Sequence, residues 1–205
     1  MLESIFSTPI YVKNDVNFLP QTLKVFNDFG MENYYTPNMY GVSGFTTYFD
    51  QTAQEKIKEA IPDLLNFIKE SAVVFLNEIG YDLSNYSVYV GSAWFSEMRE
   101  NSSHAFHMHS ALGNKTTVLS GTYYLSTPEN CSPITFSRSE GEYFNQVALP
   151  VAKENSFARK FYSYQPNAGD LVLFLAETFH GVLANKSKVS RNTLSFNVNV
   201  KNNAD

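Results

Sequence analysis

From Tyr86 onward the chain is written almost entirely in short, alternating, aromatic and β-branched runs, and this limits the folds open to it. The runs are Tyr86–Met98, His104–Ser110, Thr116–Ser126, Ile134–Ser137, Phe161–Gln165, Asp170–Leu175 and Thr193–Val200. Turn residues punctuate them at Gly113-Asn114, Pro128-Glu129-Asn130, Gly141, Pro166-Asn167-Ala168-Gly169 and Asn185-Lys186-Ser187. Many short strands can bury their apolar sides only by layering one sheet on another, as in a jelly roll. A helical preface precedes them. Ile5–Val12 reads as an opening strand and Pro20–Phe29 as a short helix, with Pro20 in the first turn and Gly30 as its stop. Residues Gln51–Ile79 repeat apolar positions at helical spacing, and Pro62 predicts a kink or two helices joined near Ala60–Asp63 before Gly80 ends them.

The reading is therefore one domain over residues 1–205, with the helical preface at about 18–80 and the β core at about 86–200. An aromatic content of 15%, mostly Phe and Tyr, suits packing on pleated sheets. A net charge of −5 provides no footprint for nucleic acid, which needs clustered Lys and Arg. Cys131 is the single cysteine, so no intramolecular disulfide framework exists. The opening MLESIFSTPIYV lacks a basic leader, and no apolar run is long enough to span a bilayer. A cytoplasmic protein without a membrane partner is expected.

Three of the four histidines form a pattern. His107 and His109, two apart on a strand, project to the same face, with Met108 opposite. His180, at the turn after a buried strand, is placed to reach back and close a triad around a metal. His104 has the opposite parity and is left out. Imidazole suits iron, zinc and copper, so the histidines alone do not choose the metal. Arg191 is either a solvated strand end or an anchor for an anion, the latter matching its position downstream of the triad. Thr193 shares its face. Tyr123 and Tyr124 point to opposite faces, so one of them lines the interior. Trp94 is a candidate wall residue, Gly121 and Gly181 are read as backbone accommodations, and Glu177 as an exposed loop residue. The aromatic segment Tyr34–Phe49 reads as a loop, either part of a substrate wall or packed over the helices. GxSxG, phosphate-loop, CxxC and HExxH signatures are absent from the sequence.

Four motifs in order, Trp94 to the HxH pair, SGTYYL, GDLVLFLAETFHGV and RNTLSFN, resemble the iron(II)- and 2-oxoglutarate-dependent oxygenases, in particular a small bacterial and phage branch. The likeness extends to the opening IFSTPIY and so covers nearly the whole chain. It implies a double-stranded β-helix of the jelly-roll, cupin-like kind. It also implies Fe(II) held by His107, His109 and His180, and 2-oxoglutarate gripped at its far carboxylate by Arg191 with Tyr124 and Thr193. Dioxygen would be the further co-substrate, and a small molecule or peptide would be hydroxylated. His109 departs from the wider superfamily, which has Asp or Glu at that position, and so bears on whether it binds the metal. Two other readings stay open: a three-histidine cupin-like dioxygenase without 2-oxoglutarate, and a jelly-roll binding module without catalysis. Oligomeric state is not legible.

Overall fold

The computed structural model describes residues 7–39, 42–109, 116–138, 152–153, 155 and 158–204. Strand β1 (Ile10–Asn14) is followed by helix α1 (Leu19–Asp28), a hairpin of β2 (Tyr35–Met39) and β3 (Val42–Thr46), and helices α2 (Gln51–Ala60) and α3 (Pro62–Glu78). The β core then runs β4 (Tyr86–Met98), β5 (His104–His107), β6 (Thr117–Ser126), β7 (Ile134–Ser137), β8 (Phe161–Tyr164), β9 (Asp170–Leu175), β10 (His180–Val182) and β11 (Arg191–Asn202). The turns expected at Gly113-Asn114 and Gly141 lie outside the described residues.

The helices begin and end for local reasons. The Asp50 carboxylate accepts from the Ala53 N–H at 3.0 Å and caps α2. Pro62 opens α3 in the first turn, where its missing N–H costs nothing. Of the kink or the junction expected near Ala60–Asp63, the structure has the junction. Gly30, just past α1, takes φ = 58°, which a side chain would resist.

Every strand pairing among the described residues is antiparallel. One layer has the order β1-β9-β6-β11-β4 and the other β5-β10-β7-β8, with β3 bridging β4 to β5 and β2 outside it. This is the expected mainly-β double-stranded β-helix with flanking helices. Alternation divides the first layer cleanly. Ala93, Phe95, Leu119, Tyr123, Leu171, Leu173, Leu194 and Phe196 face outward onto α1–α3, packing with Phe26, Ile57, Leu64, Ile68 and Phe75. Phe26 meets Phe95 edge to face at 5.3 Å. The opposite parity, including Trp94, Ser96, Thr122, Phe174, Arg191, Thr193 and Ser195, faces the interior between the layers.

Close approach explains Gly121. A Cβ there would lie 2.5 Å from the Val172 carbonyl and 2.7 Å from Phe196. Gly181 is similarly crowded by Phe106.

Some boundaries differ from the sequence expectation. The opening strand starts at Ile10, after Pro9, rather than at Ile5, and residues 1–6 are outside the described set. β5 stops at His107. β8 stops at Tyr164, short of Gln165 and Pro166. The segment read as a loop, Tyr34–Phe49, holds the β2–β3 hairpin. Its Pro37, Gly41 and Gly44 interrupt the alternation that would have revealed strands. No helix among the described residues is long and apolar enough to cross a membrane.

Candidate metal and anion site

The interior between the two layers holds a cavity of about 60 Å³. Three of the expected residues converge at it. His107 ends β5, His180 begins β10, and the two are register partners. His109 lies two residues past His107, held where its own N–H donates to the Ala176 carbonyl at 2.8 Å. One ligand atom from each histidine falls within 4.8 Å of the others. Their ring centroids are 4.4 Å apart for His107–His180, 5.0 Å for His107–His109 and 5.2 Å for His109–His180. Met108 is exposed, as the parity argument required.

Two of the rings have their tautomer assigned by the backbone. His107 Nδ1 lies 2.9 Å from the Ala105 carbonyl, and His180 Nδ1 lies 2.8 Å from the Thr178 carbonyl. Nδ1 donates in both, which leaves Nε2 as the free lone pair for a metal. Burial disfavours the imidazolium form throughout. It pushes His107 down and His180 well below the usual range, the neighbouring histidines adding to the effect at His180. His109 is lowered to about 4, chiefly by burial and then by His107, against a smaller upward pull from Asn197. Neutral imidazoles are the form that binds metal.

At the other end of the cavity is Arg191, at the start of β11 and only 3% exposed. Its Nε has no hydrogen-bond partner, and Nη1 reaches only the Met98 sulfur at 3.3 Å. No carboxylate pairs with it among the described residues; the ion pairs there join Lys58 to Glu55 and Arg99 to Glu97. The guanidinium carbon sits 4.9 Å from the Tyr124 ring centroid. Tyr124 is fully buried among Ile134, Phe136, Val172 and Phe174, and its hydroxyl has no well-directed hydrogen bond, with the Arg191 guanidinium beside it. Burial raises the Tyr124 pKa, opposed by the nearby Arg191. Tyr123 faces the helices instead, donating its hydroxyl to the Asp15 carbonyl at 2.6 Å. Thr193, Ser96, Thr122 and Ser195 complete a polar floor.

An unpaired buried guanidinium costs several kcal/mol, roughly, which an incoming carboxylate would offset. Three neutral donors at one end and a forked cation beside the Tyr124 hydroxyl at the other fit a chelating oxoacid dianion bound to a divalent metal.

Trp94 walls the cavity as expected, with its ring 6.3 Å from that of His109. Tyr48 packs edge-on against Trp94 at 4.9 Å, and Phe49 against Tyr48 at 5.1 Å. Tyr48 and Phe49 are 45% and 51% exposed, so this aromatic row reaches solvent. Glu177 is exposed.

His104 was missed. It too lines the cavity, its ring stacked on His107 at 4.1 Å and 20°. The cause is a register shift: His180 pairs with His107, but Val182 pairs with His104, so three steps along β5 oppose two along β10. That bulge reverses the parity and turns His104 inward. Its pKa falls to about 3, mainly through burial and then through His107, His109 and Arg191.

Known proteins share this fold. Among solved structures the chain is similar to a prolyl-4-hydroxylase from Pseudomonas putida, with 15% identity, a TM-score of 0.59, and coverage of 94% of this chain and 93% of that one. It is also similar to a viral collagen prolyl hydroxylase from Paramecium Bursaria Chlorella virus-1, with 12% identity, a TM-score of 0.56, and coverage of 93% and 95%. AviO1 from Streptomyces viridochromogenes matches at 13% identity and a TM-score of 0.59, covering 94% and 90%. At such identities the likeness speaks for the fold. No curated protein matches the chain in sequence. Residues 92–197, just over half of the chain and including all four histidines, Tyr124, Arg191 and Thr193, match the family described as "Putative 2OG-Fe(II) oxygenase". The chain belongs to that 2OG-Fe(II) oxygenase family.

Proposed function

We propose that this protein couples the decarboxylation of 2-oxoglutarate to hydroxylation of a small molecule or peptide. His107, His109 and His180 hold Fe(II). Arg191 grips the far carboxylate of 2-oxoglutarate, with Tyr124 and Thr193 beside it. When bound, iron and 2-oxoglutarate supply the oxidative chemistry, consuming dioxygen and releasing succinate and carbon dioxide. The chain's own part is placement. The Ala105 and Thr178 carbonyls orient two ligand rings, and the apolar shell of Tyr124, Phe174 and Ile134 excludes water from the cavity floor.

The observation that carries this reading is the buried Arg191 guanidinium without a carboxylate partner. It also favours an oxoacid-dependent enzyme over a three-histidine dioxygenase that needs no anion, and over a site that has lost its ligand. Three neutral ligands leave both positive charges of the metal in place, which favours a dianion further.

Anaerobic protein loaded with Fe(II) should develop a visible charge-transfer band on titration with 2-oxoglutarate. Admission of oxygen should then yield succinate, faster when the right substrate is added. Protein that binds Fe(II) but shows neither the band nor calorimetric heat with 2-oxoglutarate would sink the reading.

A further inference from the structure

His104 has no place in the ligand set, yet it occupies the cavity. It lies two strand positions along β10 from the His107–His180 pair, opposite Val182. Met98, Val182 and Arg191 line the cavity with it. It is close enough to Arg191 to feel that charge. His104 therefore flanks the stretch between the histidine cluster and Arg191. One face of its ring is covered by His107 at 4.1 Å, which fixes the ring plane. The residue is half-buried, and among the described residues neither ring nitrogen makes a hydrogen bond. An imidazole carries at least one N–H donor, and none of the described residues accepts from this one.

We propose that His104 is a co-substrate-binding residue, its imidazole N–H donating to a carboxylate of the dicarboxylic oxoacid lying between the histidine cluster and Arg191. This rests on the reading of the cavity as a 2-oxoglutarate site. The stack on His107 and the donor role are separable, because phenylalanine keeps a flat ring on His107 without an N–H, whereas glutamine keeps an N–H without the ring.

The test uses Zn(II)-loaded protein, which does not turn over, titrated calorimetrically with 2-oxoglutarate, and metal-free protein titrated with Zn(II) alone. Loss of a hydrogen bond to a charged group predicts that His104→Phe weakens 2-oxoglutarate binding by roughly ten- to a hundredfold. Zn(II) affinity should stay within about threefold of wild type, since His104 is no ligand. His104→Gln should recover part of the lost affinity. Should His104→Phe not fold, His104→Leu takes its place with the same expectation for 2-oxoglutarate. Unchanged 2-oxoglutarate binding in His104→Phe overturns the inference. So does a loss confined to Zn(II) affinity, which would make His104 a support for His107, or a His104→Gln no better than His104→Phe. If wild-type Zn(II) protein takes no 2-oxoglutarate, the assignment of the cavity fails and this inference with it. A normal wild type beside an unaffected variant sinks this inference alone.

Discussion

His107 and His180 face each other across the β5–β10 pair with their rings 4.4 Å apart, and each donates Nδ1 to the carbonyl two residues before it. The two rings are thereby presented through Nε2, already in the tautomer a metal requires. His180→Ala should therefore abolish tight divalent metal binding rather than merely weaken it, since two of three donors rarely suffice at a catalytic site. Metal content after gel filtration measures this. Full metal occupancy in the variant would refute the ligand assignment.

His109 stands where a carboxylate would halve the charge left on the metal. His109→Asp should keep the metal and weaken 2-oxoglutarate binding by about tenfold, because it sets an anion within a few Å of an incoming dianion. Paired titrations of wild type and variant with 2-oxoglutarate at saturating Zn(II) decide it. Tighter binding in the variant would show that the three-histidine charge state does not set the affinity.

Arg191→Met should lose 2-oxoglutarate binding by at least roughly a hundredfold, with metal affinity retained. The same change removes an unpaired buried charge. Metal-free Arg191→Met is accordingly expected to unfold at the wild-type temperature or above it, by about 1–3 kcal/mol of added stability. In wild type, 2-oxoglutarate at 100 times its Kd should add about 2.7 kcal/mol, and in the variant nothing. Differential scanning calorimetry with and without ligand reads both effects.

Acid should destabilise the metal-free protein through its histidines. Their folded-state pKa values lie below the unfolded value near 6.5, at about 4 for His109 and about 3 for His104, with His107 and His180 also lowered. The unfolded chain thus binds more protons between those limits, so stability rises with pH there. Stability is fully present above about 6.5 and is lost as the pH falls through about 4 and then 3. Each group contributes up to about 1.4 kcal/mol per pH unit while only the unfolded form is protonated, less where solvent reaches the ring. Urea unfolding at a series of pH values should show this slope flatten in His104→Phe. An unaltered slope would contradict the assigned pKa of His104.

Gly121→Ala should destabilise by about 1–3 kcal/mol, because its Cβ must displace the Val172 carbonyl or the Phe196 ring from 2.5–2.7 Å. The urea midpoint should drop with an unchanged slope. A midpoint equal to wild type would mean that the sheet yields there without cost.

Much of the fold was legible because alternation is a strong signal where one strand face meets helices and the other a cavity. β4, β7 and β9 begin and end where the sequence placed them, and Pro62 marked its helix boundary. β10 was not legible, since three residues beginning at a turn carry too little pattern. The β2–β3 hairpin was hidden by proline and glycine. At the site, parity brought out the pair His107 and His109 and reserved one of Tyr123 and Tyr124 for the interior, the family resemblance choosing Tyr124. The same parity, carried through β4, β6 and β11, would have revealed Ser96, Thr122 and Ser195 as small polar floor residues. His104 could not be found that way, because a change of register leaves no mark in the residues themselves.

The bulge in β5 makes that strand two reading frames joined at Ala105 and Phe106. Upstream of the join, His104 is inward in one frame; downstream, His107 is inward in the other. Deleting one residue at the join would leave the two histidines two apart, and a regular ladder would then keep both inward without a bulge. Strand register here is thus a chemical variable as much as a structural one. At the present spacing the bulge alone keeps the fourth imidazole inside, and a lineage that lost the bulge but kept the spacing would turn it out with all four histidines still present in its sequence.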